Sequence, residues 1–373
     1  METDSLGLYV HIPFCIRKCN YCDFCSFAVS EASWKEGYID RLLREIRSYK
    51  EKNITLDSIF FGGGTPSLLS AAEFFKIYEA INESFEILQG CEFTIEANPK
   101  TLDREKLAEF KRCGVNRLSI GLQSIHENEM KMLGRVHNYE DFLHSYKLAR
   151  ECGIENINVD LMYGIPEQTM ESFRATLDAV TTLSPEHISL YGLILEEGTP
   201  FYKIQKQLNL PSEDSECDMY YFACDYLRDK GYSHYEISNY AKAGYKCRHN
   251  LKYWHAEEYI GVGLSAYSYF DGYRFGNTSD REVYLNEGEA KYEYTEKIDE
   301  ADQAYEYVML RLRLAEGFSL VDYKARFSRD FLVEKQGVLE KYIKDGYVLV
   351  DDDRISLTER GYYISNSILA ELT

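Results

Sequence analysis

Six short apolar, β-branched runs, separated by helical patterns, constrain the fold of this 373-residue chain more than any other feature. The runs are LGLYVHI (6–12), DSIFFGG (57–63), EFTIEAN (92–98), RLSIGLQ (117–123), NINVDLMYG (156–164) and HISLYGLIL (187–195). Helical patterns lie between them, near 33–51, 70–84, 103–112, 139–152 and 167–182. Asp103 and Ser172 are polar residues of the kind found near helix starts, and Gly114 and Gly153 sit where helices should stop. Such alternation predicts an α/β fold, a parallel sheet covered by helices. Six units are too few for the closed eight-unit form. A partial (β/α)6, TIM-like barrel is therefore expected, with its chemistry at the C-terminal ends of the strands.

Beyond about residue 280 the pattern changes. Helical patterns at 301–315, 319–327 and 330–344 precede a hairpin, YVLVDDDRISL (347–357), and a last helix over 358–371. This predicts a smaller α+β, winged-helix-like domain over 281–373, following a core domain of 1–280. Asp351, Asp352 and Asp353 occupy the turn that would face phosphates in a DNA-binding wing, so a docking or lid role is expected instead. The chain carries a net charge of −20, from 42 Lys+Arg against 62 Asp+Glu. Nucleic acid needs clustered cations to displace its counterions, and anionic lipid attracts basic segments, so neither is an expected partner. The opening METDSLGLYVHIPFC lacks the basic and apolar regions of a signal peptide, and no apolar run nears the roughly 20 residues of a membrane span. A cytoplasmic protein without a membrane anchor is expected. In that setting the ten cysteines are not a disulfide framework, and a metal or redox role is the better reading. The 32 Tyr and 19 Phe point to a well-packed aromatic interior.

Three cysteines follow the first run directly, as Cys15-Ile-Arg-Lys-Cys19-Asn-Tyr-Cys22. One loop with C-x3-C-x2-C spacing can wrap a cube of iron and sulfide, which takes thiolate ligands. Three ligands leave one iron free for a cofactor or substrate. A structural zinc site needs four ligands, and Cys25 could complete that set; unligated thiols are the remaining alternative. Further unusual residues fall at or near the ends of later runs. They are Gly62-Gly63-Gly64-Thr65-Pro66, Glu96-Ala97-Asn98-Pro99, Gly121-Leu122-Gln123-Ser124, Arg135 in LGRVHN and Asp160 in NVDLMYG. Alone, the glycines could form a tight turn, and each polar residue could be a surface or helix-capping group. Together they place polar groups at the mouth of one barrel.

In this order the motifs resemble the radical S-adenosylmethionine (SAM) superfamily, over most of residues 6–275. The resemblance implies a 4Fe–4S cluster on Cys15, Cys19 and Cys22, with the amino and carboxylate groups of SAM chelating its open iron. Reduction in that family cleaves SAM to methionine and a 5′-deoxyadenosyl radical. The resemblance also implies SAM contacts from Tyr9, Gly63, Gly64, Thr65, Glu96, Gln123, Arg135 and Asp160. For Tyr21 two roles stand, stacking near the cofactor or anchoring the loop.

The stretches YVHIPFC, GGGTP, EANP, GLQS and DLMYGIP are similar to the branch holding oxygen-independent coproporphyrinogen III oxidases and haem chaperones of HemW type. Two local features separate these. The oxidase pattern CxxxCxxCxC places a cysteine two residues after the third ligand, where this chain has Phe24, with Cys25 following. His249-Asn250-Leu251-Lys252-Tyr253-Trp254 matches the chaperones' HNxxYW. Imidazole is a good axial ligand for haem iron, and flanking rings can pack on a porphyrin face. The alternative is an ordinary packed turn in which His249 satisfies backbone groups. GVGLSAYSYF (261–270) is Gly-rich but follows no dinucleotide-binding pattern. The chaperone resemblance implies haem as cargo, held through His249 and passed to acceptor haemoproteins such as those of respiratory chains. Any membrane association would then be peripheral and come from a partner. The competing expectation is oxidative decarboxylation of coproporphyrinogen III to protoporphyrinogen IX.

Overall fold

The computed structural model describes residues 5–29, 32–286 and 292–373. Its contacts divide the chain into two compact units, Met1–Ser212 with Glu258–Glu296, and Glu213–Glu257 with Lys297–Thr373. In the first unit all six expected strands form: β1 (Leu6–Ile12), β2 (Thr55–Gly63), β3 (Glu86–Ala97), β4 (Arg117–Gln123), β5 (Asn156–Tyr163) and β6 (His187–Gly192). They pair in parallel in chain order. A seventh parallel strand, β7 (Tyr259–Val262), overlaps the start of the Gly-rich stretch and pairs with the other side of β1. Antiparallel β8 (Tyr267–Phe270) and β9 (Tyr273–Asn277) continue from it, and β10 (Tyr292–Lys297) forms that edge.

The helices between these six strands are α1 (Ala32–Arg47), α2 (Ala71–Ser84), α3 (Arg104–Arg112), α4 (Glu127–Leu133), α5 (Tyr139–Glu151) and α6 (Met170–Leu183). Their starts are chemically marked. Asp103 caps α3 by accepting from Lys106 N at 2.8 Å. Ser70, Asn138 and Thr169 form reciprocal capping boxes with Glu73, Asp141 and Ser172. Each such cap is worth about 1 kcal/mol.

Side chains alternate across a strand, and here the two faces differ in chemistry. Leu8, Val10 and Ile12 of β1, Ile59 and Phe61 of β2, Leu118 and Ile120 of β4, and Val159 and Leu161 of β5 are fully buried. Phe61 meets Phe74 of α2 at 5.1 Å between ring centres, which marks this set as the helix-facing one. The opposite set carries Tyr9 and His11, Gly62, Glu96, Arg117 and Ser119, Asn158 and Asp160, and His187. The sheet is thus apolar towards its helices and polar on the other face. Burial of each large apolar side chain supplies roughly 1.5–3 kcal/mol, and the polar face is left for chemistry.

The second unit holds the three-stranded sheet of Phe318–Ser319, Val348–Asp351 and Arg354–Leu357, and the helices expected at 330–344 and 358–371 each form as two shorter ones, Phe331–Glu334 with Gln336–Lys344 and Glu359–Tyr363 with Ser365–Leu372. Its core is a ring cluster in which Phe318 meets Tyr307, Tyr323 and Phe331 at 5.2–5.7 Å. Asp353, expected to repel phosphate, instead ties the hairpin turn to the neighbouring helix start. Its carboxylate accepts from Ser319 Oγ at 2.7 Å and Val321 N at 2.8 Å. The division of the chain differs from the expected boundary near 280, because residues 213–257 pack with the C-terminal part. The physical reason lies around α7 (Arg248–Trp254): Arg313 lies over the Trp254 ring at 5.8 Å, and Arg311 Nη2 donates to His255 O at 3.5 Å. The HNLKYW segment therefore belongs to the second unit. Among the described residues no helix is long and apolar enough to cross a membrane.

Candidate functional site

The cysteine loop leaves β1 at its C-terminal end, and Asn20 pins it. Asn20 N donates to Leu133 O at 2.9 Å, its Nδ2 to Met132 O at 2.8 Å, and its carbonyl accepts from Phe201 N at 2.9 Å. Tyr21 packs on the cluster of Leu133, Met162, Ile165 and Phe201. All ten cysteines are free. Burial raises the thiol pKa of Cys15, and raises that of Cys22 to about 11, so both thiols carry protons that a metal would displace.

The glycine run closes on this loop. Gly63 has φ +108°, and a Cβ there would lie 2.4 Å from the His11 ring. A Cβ on Gly64 would lie 2.7 Å from Phe14 O. These glycines let β2 approach β1 and the loop directly. His11 is held on both sides, by Tyr9 Oη at 3.0 Å and Cys25 O at 2.8 Å, and burial lowers its pKa to about 4, so the ring is neutral.

Glu96 accepts from Gly63 N at 3.2 Å. It is partly buried, and burial, reinforced by the neighbouring Asp160, pushes its pKa up to about 8. Asp160 accepts from Asn158 Nδ2 at 2.7 Å and Ser119 Oγ at 3.2 Å, and burial raises its pKa also. Arg117, 2% exposed, offsets part of that repulsion from the same face. Gln123 sits at a register shift between β4 and β5 with φ +74°, and its Oε1 accepts from Tyr191 Oη at 2.8 Å. Thr65 Oγ1 donates to Cys15 Sγ at 3.6 Å, and Arg135 Nη1 donates to Cys19 Sγ at 3.6 Å.

Tyr9, Gly63, Gly64, Thr65, Glu96, Gln123, Arg135, Asp160 and the three cysteines thus all belong to one unit, on its polar strand face and the loops after it. His249 does not belong to it. It lies in the second unit, 1% exposed, with Nε2 2.8 Å from Tyr253 Oη. Three contributors were not singled out by motif: His11, Arg117 and Tyr191. The period-2 alternation of β1 places His11 on the face of Tyr9, and Asn98 stands inside the EANP stretch.

The residues fit an iron–sulfur cluster with an anionic ligand beside it. Thiols suit iron, and in a cubane each takes a different iron, so they need not meet at a point. Arg135, whose Nη1 reaches Cys19, has its Nε buried without a hydrogen-bond partner, a donor that a carboxylate would satisfy.

A family model for the radical SAM superfamily matches residues 9–180, and one for the HemN C-terminal domain matches residues 298–364. "Heme chaperone HemW" of Lactococcus lactis is 34% identical over 363 residues, covering 96% of this chain and 95% of that protein. The protein of the same name from Bacillus subtilis is 35% identical, covering 96% and 97%. Among solved structures, coproporphyrinogen III oxidase (HemN) from Escherichia coli superposes with a TM-score of 0.88 at 24% identity, covering 99% of this chain and 90% of that one, a likeness of fold. The chain belongs to the HemW family of radical SAM proteins.

Proposed function

We propose that this protein is a cytoplasmic haem chaperone that binds haem and passes it to acceptor haemoproteins, some of them membrane-associated. In this reading Cys15, Cys19 and Cys22 hold a 4Fe–4S cluster, and an exchangeable SAM sits beside it. The observation that carries the reading is similarity over nearly the whole chain, at 34–35% identity, to proteins named haem chaperone. When bound and reduced, the cluster supplies the electron for cleavage of SAM. The chain's own residues do the holding. Arg135 offers a charged donor to the SAM carboxylate, and Gly63 and Gly64 bring backbone close to its amino group. Glu96, Gln123 and Asp160 offer acceptors for its ribose and amino groups, and Tyr9 closes the apolar side.

His249 is the proposed iron ligand for haem. Ligation through Nε2 requires that nitrogen to leave Tyr253 Oη, so haem competes with that hydrogen bond. Haem transfer rather than porphyrinogen oxidation is favoured by Phe24, 63% exposed, where the oxidase pattern has a cysteine. The test is anaerobic incubation of the reconstituted protein with coproporphyrinogen III, SAM and a low-potential reductant. Absence of decarboxylated product supports the chaperone; its accumulation over repeated turnovers assigns the chain to the oxidases.

A further inference from the structure

An unbroken chain of hydrogen bonds runs between the thiols of Cys15 and Cys19, with Asn98 at its centre. Asn98 Nδ2 donates to Thr65 Oγ1 at 2.7 Å, and Thr65 Oγ1 donates to Cys15 Sγ at 3.6 Å. On the other side, Asn98 Oδ1 accepts from Arg135 Nη2 at 2.5 Å, and Arg135 Nη1 donates to Cys19 Sγ at 3.6 Å. Arginine only donates, so it fixes which end of the amide faces it and leaves the NH2 for Thr65. A hydroxyl that accepts from Asn98 sends its own proton elsewhere, and the Cys15 sulfur is the acceptor in reach. The Asn98 backbone is tied as well, since its N donates to Ser67 Oγ at 3.4 Å and its O accepts from Thr101 Oγ1 at 2.6 Å. One amide thus orients the donors on two of three candidate ligands.

We infer that Asn98 is a positioning residue for the cluster, holding one hydrogen-bond donor on the Cys15 sulfur and one on the Cys19 sulfur and so raising the cluster's reduction potential. The inference rests on the cluster reading above. Hydrogen bonds to ligand sulfur stabilise the more negative, reduced state and are among the main determinants of cluster potential. The effect travels through Thr65 and Arg135; Asn98 itself ligates nothing.

The test is a redox titration of the anaerobically reconstituted full chain, followed by electron paramagnetic resonance, with iron counted per chain. Asn98→Ala removes both contacts. Asn98→Asp retains an acceptor for Arg135 but cannot donate to Thr65. Both should keep about four irons; Asn98→Ala should lower the reduced-to-oxidised ratio at fixed potential about tenfold, a midpoint about 59 mV more negative for a one-electron couple, and Asn98→Asp should also lower it, through the lost Thr65 contact together with its own negative charge. Thr65→Val should lower the midpoint too, and combined with Asn98→Ala should shift it less than the sum of the single variants, because the two act in series. An unchanged midpoint in variants that retain their iron overturns the inference, as does strict additivity. Loss of iron from both Asn98 variants, with the wild type keeping its own, also overturns it, since the residue would then be needed for assembly. A wild-type chain that takes up no iron overturns the cluster reading itself, and the iron count separates that result from the others.

Discussion

Glu96→Gln should flatten the pH dependence of stability in the cofactor-free protein. The carboxyl ordinarily titrates near 4.5, and in the folded chain burial and Asp160 push it up to about 8. A raised carboxyl pKa means that the folded state binds the proton more tightly than the unfolded one. Its stabilising contribution is therefore complete below pH 4.5 and is lost as pH rises towards 8. Between roughly pH 5.5 and 7.5 the loss amounts to about 2.5 kcal/mol, at about 1.4 kcal/mol per proton and pH unit. Glutamine keeps an oxygen for Gly63 N, now 3.2 Å from Glu96 Oε2, and has nothing to ionise. Urea unfolding at several pH values measures both chains. The wild type should lose about 2 kcal/mol more than the variant across that interval. Asp160, also raised by burial, leaves the variant some residual slope, and the difference between the chains isolates Glu96. Parallel stability curves would refute the reasoning, showing that Glu96 is already ionised when folded.

Three further outcomes are expected. Gly63→Ala places a Cβ 2.4 Å from a His11 ring that two hydrogen bonds hold, at φ +108°. It should cost about 2–6 kcal/mol from backbone strain and overpacking together, read by urea midpoint. Phe318→Ala removes a ring at the centre of the second unit's aromatic cluster, 1% exposed, and should cost about 3–5 kcal/mol by the same assay. Tyr253→Phe removes the hydrogen bond that competes for His249 Nε2. Haem affinity measured by absorption should then rise about fivefold, for a net bond worth about 1 kcal/mol.

Much of the first unit was legible because its signals are local. β1 and β4 match their expected runs in full, since every aliphatic residue of those strands lies on a helix-facing row. Asp103 announced α3 through its own side chain. β7 was not legible: Tyr259–Val262 is four residues long, and what makes it a strand is its distant pairing with Gly7–Val10. The partition of the chain escaped for the same reason, since residues 213–257 join the C-terminal part through contacts such as Arg313 with Trp254. At the site, the cysteines and glycines were visible by spacing. Asn98 and Arg117 matter through partners on other strands and loops, which spacing does not encode.

The central claim, that this chain carries haem, is tested most directly by an anaerobic haem titration of the reconstituted protein with His249→Ala alongside. The account predicts saturable one-to-one binding by the wild type and a displaced Soret band with weaker binding in the variant. Haem that binds without saturation, or that gives identical spectra and affinity in both chains, would contradict it.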